Sequence, residues 1–193
     1  HEMSMEDLIP NTKISILISK NGFIKRMAID TFKSQNRGGR GIAGMTTRDE
    51  DSIEHLLVTN THDYLLCFTN RGRVFKIKAY QVPEASRQSK GVSLAHFLNF
   101  EDKEELTSAI DVASFNTDEY LFMTTRKGVV KKTPINAFIH FKNKPIASIN
   151  LDDGDTLQWV TKTSGNKDIL LVTSAGMVIR FEESQVRPMG RTS

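Results

Sequence analysis

Basic side chains recur in this sequence at a fixed distance from a glycine. Arg26, Lys76, Lys132 and Arg180 each stand four positions after Gly22, Gly72, Gly128 and Gly176. Cations repeated at one pitch can neutralise a polyanion of regular charge spacing, because each phosphate contact releases a condensed counterion. Other chemistries are poorly served. The five histidines, His1, His55, His62, His96 and His140, have no metal-ligand spacing to one another. Cys67 is the only cysteine, which excludes a disulfide framework and every Cys-rich zinc site. No serine lies in a Gly-x-Ser-x-Gly elbow, and no Gly-x-x-x-x-Gly-Lys-Ser/Thr loop is present. Paired acids such as Asp152-Asp153 suit polar turns better than magnesium ligands. The residues therefore lead us to expect a binding chain with no catalytic residue, metal or cofactor.

The glycines belong to a larger repeat. Ile14–Arg26, Tyr64–Lys76, Tyr120–Lys132 and Asp168–Arg180 align without gaps, so the unit recurs about every 50 residues. Three positions before each glycine stands a hydroxyl: Ser19, Thr69, Thr125, Thr173. Ten positions after it stands an apolar side chain: Phe32, Val82, Phe138, Val186. Each unit reads as an apolar strand, a glycine turn with positive φ, and a second strand that carries the cations. Further strand signals at 53–59, 107–112 and 157–162 give about four short strands per ~50 residues, the size of a propeller blade. Helical periodicity is absent beyond a possible turn at 95–99. The class is all-β, with at least four repeats of four-stranded blades. The last repeat stops at Ser193, sooner after its glycine than the others, so it reads as truncated and the chain as a piece of a longer one. Residues 1–5 read as a tag remnant or linker and 6–193 as the domain.

Charge follows the same beat. The formal net charge is only +3 in 193 residues. Yet the windows 20–41, 70–91, 126–147 and 174–193 hold 21 basic and 4 acidic side chains, a net +17, and the rest of the chain carries −14. In a radial array equal phase means equal position, so a basic rim is expected. Its candidate contacts, from phase alone, are Lys25, Arg26, Arg71, Arg73, Lys76, Lys78, Arg87, Lys90, Arg126, Lys127, Lys131, Lys132 and Arg180. Almost no aromatic side chains are interleaved with them, and no recognition helix appears. A rim of this kind reads backbone rather than bases, without stacking single strands. A mean hydropathy of −0.34, with no apolar run near ~20 residues, excludes a membrane-spanning helix.

One segment occurs once: Gln35-Asn36-Arg37-Gly38-Gly39-Arg40-Gly41. Three glycines in the four positions 38–41, with Arg37 before them and Arg40 among them, expose backbone N–H groups and admit a phosphate closely. After Gly22-Phe-Ile-Lys-Arg-Met27, this segment resembles the Gln-Arg-Arg-Gly-Gly-Lys-Gly box of the C-terminal domain of DNA gyrase A. Asn36 departs from an arginine and Arg40 from a lysine. The likeness extends over Phe68-Thr-Asn-Arg-Gly-Arg-Val-Phe-Lys76, Ala79-Tyr-Gln-Val-Pro83 and Arg187-Pro-Met-Gly-Arg-Thr192, covering the chain from about Glu6 onward.

The resemblance implies a β-pinwheel whose blades exchange strands. It implies non-sequence-specific binding, bending and wrapping of double-stranded DNA on the rim, in support of ATP-dependent negative supercoiling. By matching position, Gln35 to Gly41 carry the box. The family's DNA-cleaving tyrosine belongs to the N-terminal part of gyrase A, so this domain would be non-catalytic within a type II topoisomerase. Its implied partners are that cleavage domain and gyrase B in a heterotetramer, with no membrane. The implied location is the cytoplasm, at the nucleoid, with an organelle of bacterial descent left open. Two alternatives stand beside this: the corresponding domain of topoisomerase IV, which binds DNA without a strong chiral wrap, and a protein-binding propeller.

Overall fold

A computed structural model describes residues 3–29, 51–172, 176–191 and 193. Each repeat folds where its residue pattern places it. β1 (Lys13–Ser19) and β2 (Phe23–Ala28) form the first hairpin, β4 (Tyr64–Thr69) and β5 (Arg73–Lys78) the second. β8 (Tyr120–Thr125) and β9 (Val130–Pro134) form the third, β12 (Asp168–Val172) and β13 (Val178–Glu182) the fourth. Every repeat glycine has positive φ: +84° at Gly22, +72° at Gly72, +88° at Gly128 and +79° at Gly176. The hydroxyl column fastens two of the turns. Ser19 Oγ accepts the Phe23 amide at 3.1 Å, and Thr125 Oγ1 accepts that of Val129 at 3.0 Å. The acidic phase holds the same turns from outside, where Asp51 accepts the Asn21 amide and Asp155 that of Lys127, both at 3.0 Å.

The sheets exchange strands. β3 (Ile53–Asn60) pairs with β1, and the outer strand on β2 is β6 (Val92–Ser93), which follows the second hairpin. The first sheet thus runs β3-β1-β2-β6. In the second sheet β7 (Leu106–Val112) pairs with β4, while β10 (Ile146–Ala147), which follows the third hairpin, pairs with β5. β11 (Leu157–Thr163) pairs with β8, and β12–β13 stand as a pair among the described residues. Each complete blade borrows its outer strand from the next unit. A short α1 (Leu94–Phe97) falls on the helical turn expected at 95–99.

Core forms at the seams between sheets. Along β4, Leu65 and Cys67 pack with Ile14, Ile16 and Ile18 of the first sheet, while Leu66 and Phe68 pack with Leu121, Met123 and Val160 of the third. A central strand is therefore buried on both faces and carries an unbroken apolar run, not an alternating one. On the outer sheets, Leu56 and Val58 of β3 and Leu170 and Val172 of β12 remain exposed.

Candidate nucleic-acid interface

The four cations after the glycines do occupy equivalent stations, but three of them turn into the seams. Arg26 donates Nε–H to the Val82 carbonyl at 2.9 Å, and its backbone bridges Glu84 in parallel. Lys76 donates to the Phe138 and Ile139 carbonyls at 3.1 and 2.9 Å. Lys132 donates to Glu183 O at 3.2 Å and bridges Pro188. Val82 and Phe138 are the apolar column ten positions past the next glycine, so the two invariant columns meet as one joint between consecutive units. Aromatic faces complete the Lys76 station: Tyr64, Phe115 and Phe141 lie 5.4, 5.0 and 4.7 Å from its ammonium. Burial, with help from Lys142 and Lys78, lowers the Lys76 pKa. Arg180 instead pairs with Asp168 at 2.6 Å in a solvent-exposed contact.

The column one position earlier goes further inside in the first three units, whereas Ile179 of the fourth is exposed. The column holds Lys25, Phe75, Lys131 and Ile179. Lys25 is fully buried, and its ammonium donates to the carbonyls of Ser86, Arg87 and Ser89 at 3.0, 3.0 and 2.8 Å. Lys131 is equally enclosed and reaches the main-chain oxygens of Ser148, Arg191 and Ser193 at 2.8, 2.8 and 3.0 Å. Burial lowers the Lys25 pKa; burial and the neighbouring Arg191 bring Lys131 down to about 8. Phase alone assigns Lys25, Lys131 and Lys132 to the rim, whereas their ammonium groups face carbonyls inside the seams. The mixture of lysine with Phe75 and Ile179 in one column is the sequence signal for that placement.

Other expected rim residues meet acids. Arg73 makes a bidentate pair with the buried Glu104, at 2.9 and 2.6 Å, which the Thr69 hydroxyl joins at 2.7 Å. Arg71 lies 3.6 Å from Glu101, and Lys78 3.1 Å from Glu6. The loops carry the outward charge: Lys90, Arg126 and Lys127 are exposed and Arg87 is half-buried. Lys127 also donates to the Asp153 carbonyl at 2.7 Å. Two cations that the phase argument left out, Lys142 and Lys144, stand exposed on the loop before β10. They line a cleft of about 510 Å³ with Arg73, Lys76 and Pro145, in which Glu101 is the lone acid. Their position in the basic window, beyond the second strand, could have marked them. Gln35 to Gly41 lie outside the described residues. Among the described residues no three His, Cys, Asp or Glu side chains gather as a metal site, and no helix is long and apolar enough to cross a membrane.

Successive antiparallel sheets, of which the first two are four-stranded and completed by a strand from the following unit, edged by cationic loops, define a propeller-like domain of the strand-exchanging kind. Its residues 16–60, 63–113, 119–164 and 167–193 match the model of the "DNA gyrase C-terminal domain, beta-propeller" family, one match per repeat. The chain belongs to that family. It is 41% identical over 193 residues to DNA gyrase A of Clostridium acetobutylicum and 44% identical to that of Staphylococcus epidermidis, covering all of this chain and 23% and 22% of those proteins. The chain thus spans under a quarter of the relatives it matches. Among solved structures, the C-terminal domain of DNA topoisomerase IV superposes with a TM-score of 0.81 at 28% identity, over 95% of this chain and 56% of that one. The DNA gyrase A C-terminal domain gives 0.67 at 26% identity, over 93% and 58%.

Proposed function

We propose that this chain binds duplex DNA through its cationic loops and bends it along successive blades, as the wrapping domain of a DNA gyrase A protein. The observation that carries the reading is the sorting of charge. Cations that face outward sit within the basic windows, in the hairpin turn at 126–127 and on the loops at 87–90 and 142–144, whereas the acids Asp51, Glu104 and Asp155, outside those windows, pin turns and cations. Such loops meet phosphates without reading bases, and bending is offset by the added contacts. Gln35 to Gly41 supply the clamp in the first unit. The domain performs no chemistry of its own and uses no cofactor. It serves a topoisomerase whose cleavage domain and gyrase B chain are its partners, in the cytoplasm at the nucleoid.

The test has two parts. The affinity for a ~40-bp duplex should fall linearly in log K against log salt, with a slope of roughly −0.9 per phosphate neutralised. Replacing Arg37 and Arg40 by Ala should remove the linking-number shift that the domain imposes on relaxed circles closed by ligase, while circular dichroism stays unchanged. Circles shifted as before would overturn the box assignment. The TM-score of 0.81 to the topoisomerase IV domain favours a second reading, DNA binding without a chiral wrap. In that case the duplex binds with the same salt dependence and the circles are never shifted.

A further inference from the structure

The two caged lysines point to a role that charge alone does not describe. From the spacing of the glycines, residues 85–91 stand in the second unit where Gln35 to Gly41 stand in the first, and 189–193 stand there in the fourth. Lys25 belongs to the first unit and Lys131 to the third, yet the Lys25 ammonium donates only to that loop of the following unit, and the Lys131 ammonium donates to it twice, with Ser148 of its own unit as the third acceptor. We infer that Lys25 and Lys131 are positioning residues of the nucleic-acid interface, each moulding the loop of the next unit so that the loop's own cations, not the caged lysine, meet the DNA backbone.

The geometry of Lys25 carries the argument. Three carbonyls of one short stretch, 86 to 89, converge on a single nitrogen within 3.0 Å. Three partial negative charges so close repel one another unless a cation lies between them, and among side-chain donors only an ammonium offers three N–H bonds from one atom. With the carbonyls of 86, 87 and 89 drawn inward, Gln88 and Lys90 face solvent and Arg87 lies at the margin. The loop is closed on itself, since Ser89 donates its amide to Ser86 O and accepts that of Gly91 at its hydroxyl, both at 3.1 Å. Its end is pressed onto β2, where a Cβ on Gly91 would come within 2.2 Å of the Ile24 carbonyl oxygen. Without the ammonium the carbonyls must turn to water, and Arg87 and Lys90 move with them. At Lys131 two of the three oxygens, those of Arg191 and Ser193, belong to the loop, and Arg191 itself donates to the Ala147 carbonyl at 3.2 Å.

The inference rests on the DNA-binding reading above, and its test separates the two. Duplex affinity against salt would be measured for the wild type, Lys25→Met, Arg87→Ala with Lys90→Ala, and the triple variant, with thermal melting to show that each is folded. Amide hydrogen exchange of residues 86–91 would be followed in the wild type and Lys25→Met. Lys25→Met should weaken binding as much as the loop double variant, lowering the magnitude of the salt slope by about 2. The triple variant should bind no worse than the double, and Lys25→Met should lose protection in 86–91. A folded Lys25→Met that binds like the wild type overturns the inference. So does a triple variant weaker than the double by the full effect of Lys25→Met. Should Lys25→Met not fold, Lys131→Met and Arg191→Ala form the same cycle. A wild type that binds no duplex sinks the DNA reading, whereas retained exchange protection in Lys25→Met sinks the cage.

Discussion

Arg73 and Glu104 show how far a charged side chain's neighbours decide its role. Glu104 has no exposed side-chain surface, and Arg73 reaches it with two nitrogens while keeping 25% of its own side chain in solvent. Burial works against the Glu104 charge. Hydrogen bonds from Arg73, the Glu101 amide and the Thr69 hydroxyl, with the Arg73 charge, outweigh it and hold the carboxyl below its ordinary value. The Arg73 guanidinium is raised in turn, chiefly by its hydrogen bonds to Glu104. Removing one partner of such a pair strands the other, so Arg73→Ala should cost about 2–4 kcal/mol in urea unfolding at neutral pH. The sign with pH follows from the lowered carboxylate. Its contribution is complete above the ordinary 4.5 and is lost as pH falls through the folded value. Wild-type stability should therefore decline more steeply between about pH 5 and 3 than that of Glu104→Gln; equal slopes would remove the pair from the account. In the sequence Arg73 reads only as one more cation beside a glycine, because the acid it meets is 31 residues away.

At the scale of the element, the hairpins were fully legible. The pattern of apolar run, hydroxyl, glycine and cation is local, and local sterics fix its turn: a residue held at positive φ is comfortable only without a Cβ. The strand exchange was expected from the resemblance alone, since no local pattern encodes it. β6 and β10 are two residues each, too short for a periodicity to register, and their partners β2 and β5 lie in other units. Gly91 marks the difference between the two kinds of information. Gly22 needs its positive φ and has open space around it, so Gly22→Ala should cost about 1 kcal/mol. Gly91 has φ +87° and also the Ile24 backbone at its would-be Cβ. Gly91→Ala must push β6 off β2, and its cost in the same urea assay should exceed that of Gly22→Ala by at least about 2 kcal/mol. Similar costs at both sites would mean that the exchanged strand is not held where the backbone contact puts it.

Across the whole molecule, the +17 and −14 partition seen in the sequence becomes two uses of cation rather than one continuous girdle. Inside the seams, lysines and arginines join consecutive units by meeting main-chain oxygens. Outside, a second set stands on the loops. Sequence phase finds both sets and cannot divide them, since the division depends on which side of a strand meets the next unit. Lys76 and the pair Lys142 and Lys144 line one cleft and expose the difference directly. Lys76 holds two carbonyls among three aromatic rings, so Lys76→Met should destabilise the fold by about 1–3 kcal/mol. Its effect on the salt slope of duplex binding should be small, because the ammonium already has its partners. Lys142→Ala with Lys144→Ala should do the reverse: stability within about 0.5 kcal/mol of the wild type, and a salt slope reduced in magnitude by about 2. Thermal melts and salt titrations on the two variants decide it. A Lys76→Met protein that melts normally and binds with a shallower slope would make the inward-facing column a DNA contact after all, and would return the molecule to a single cationic rim.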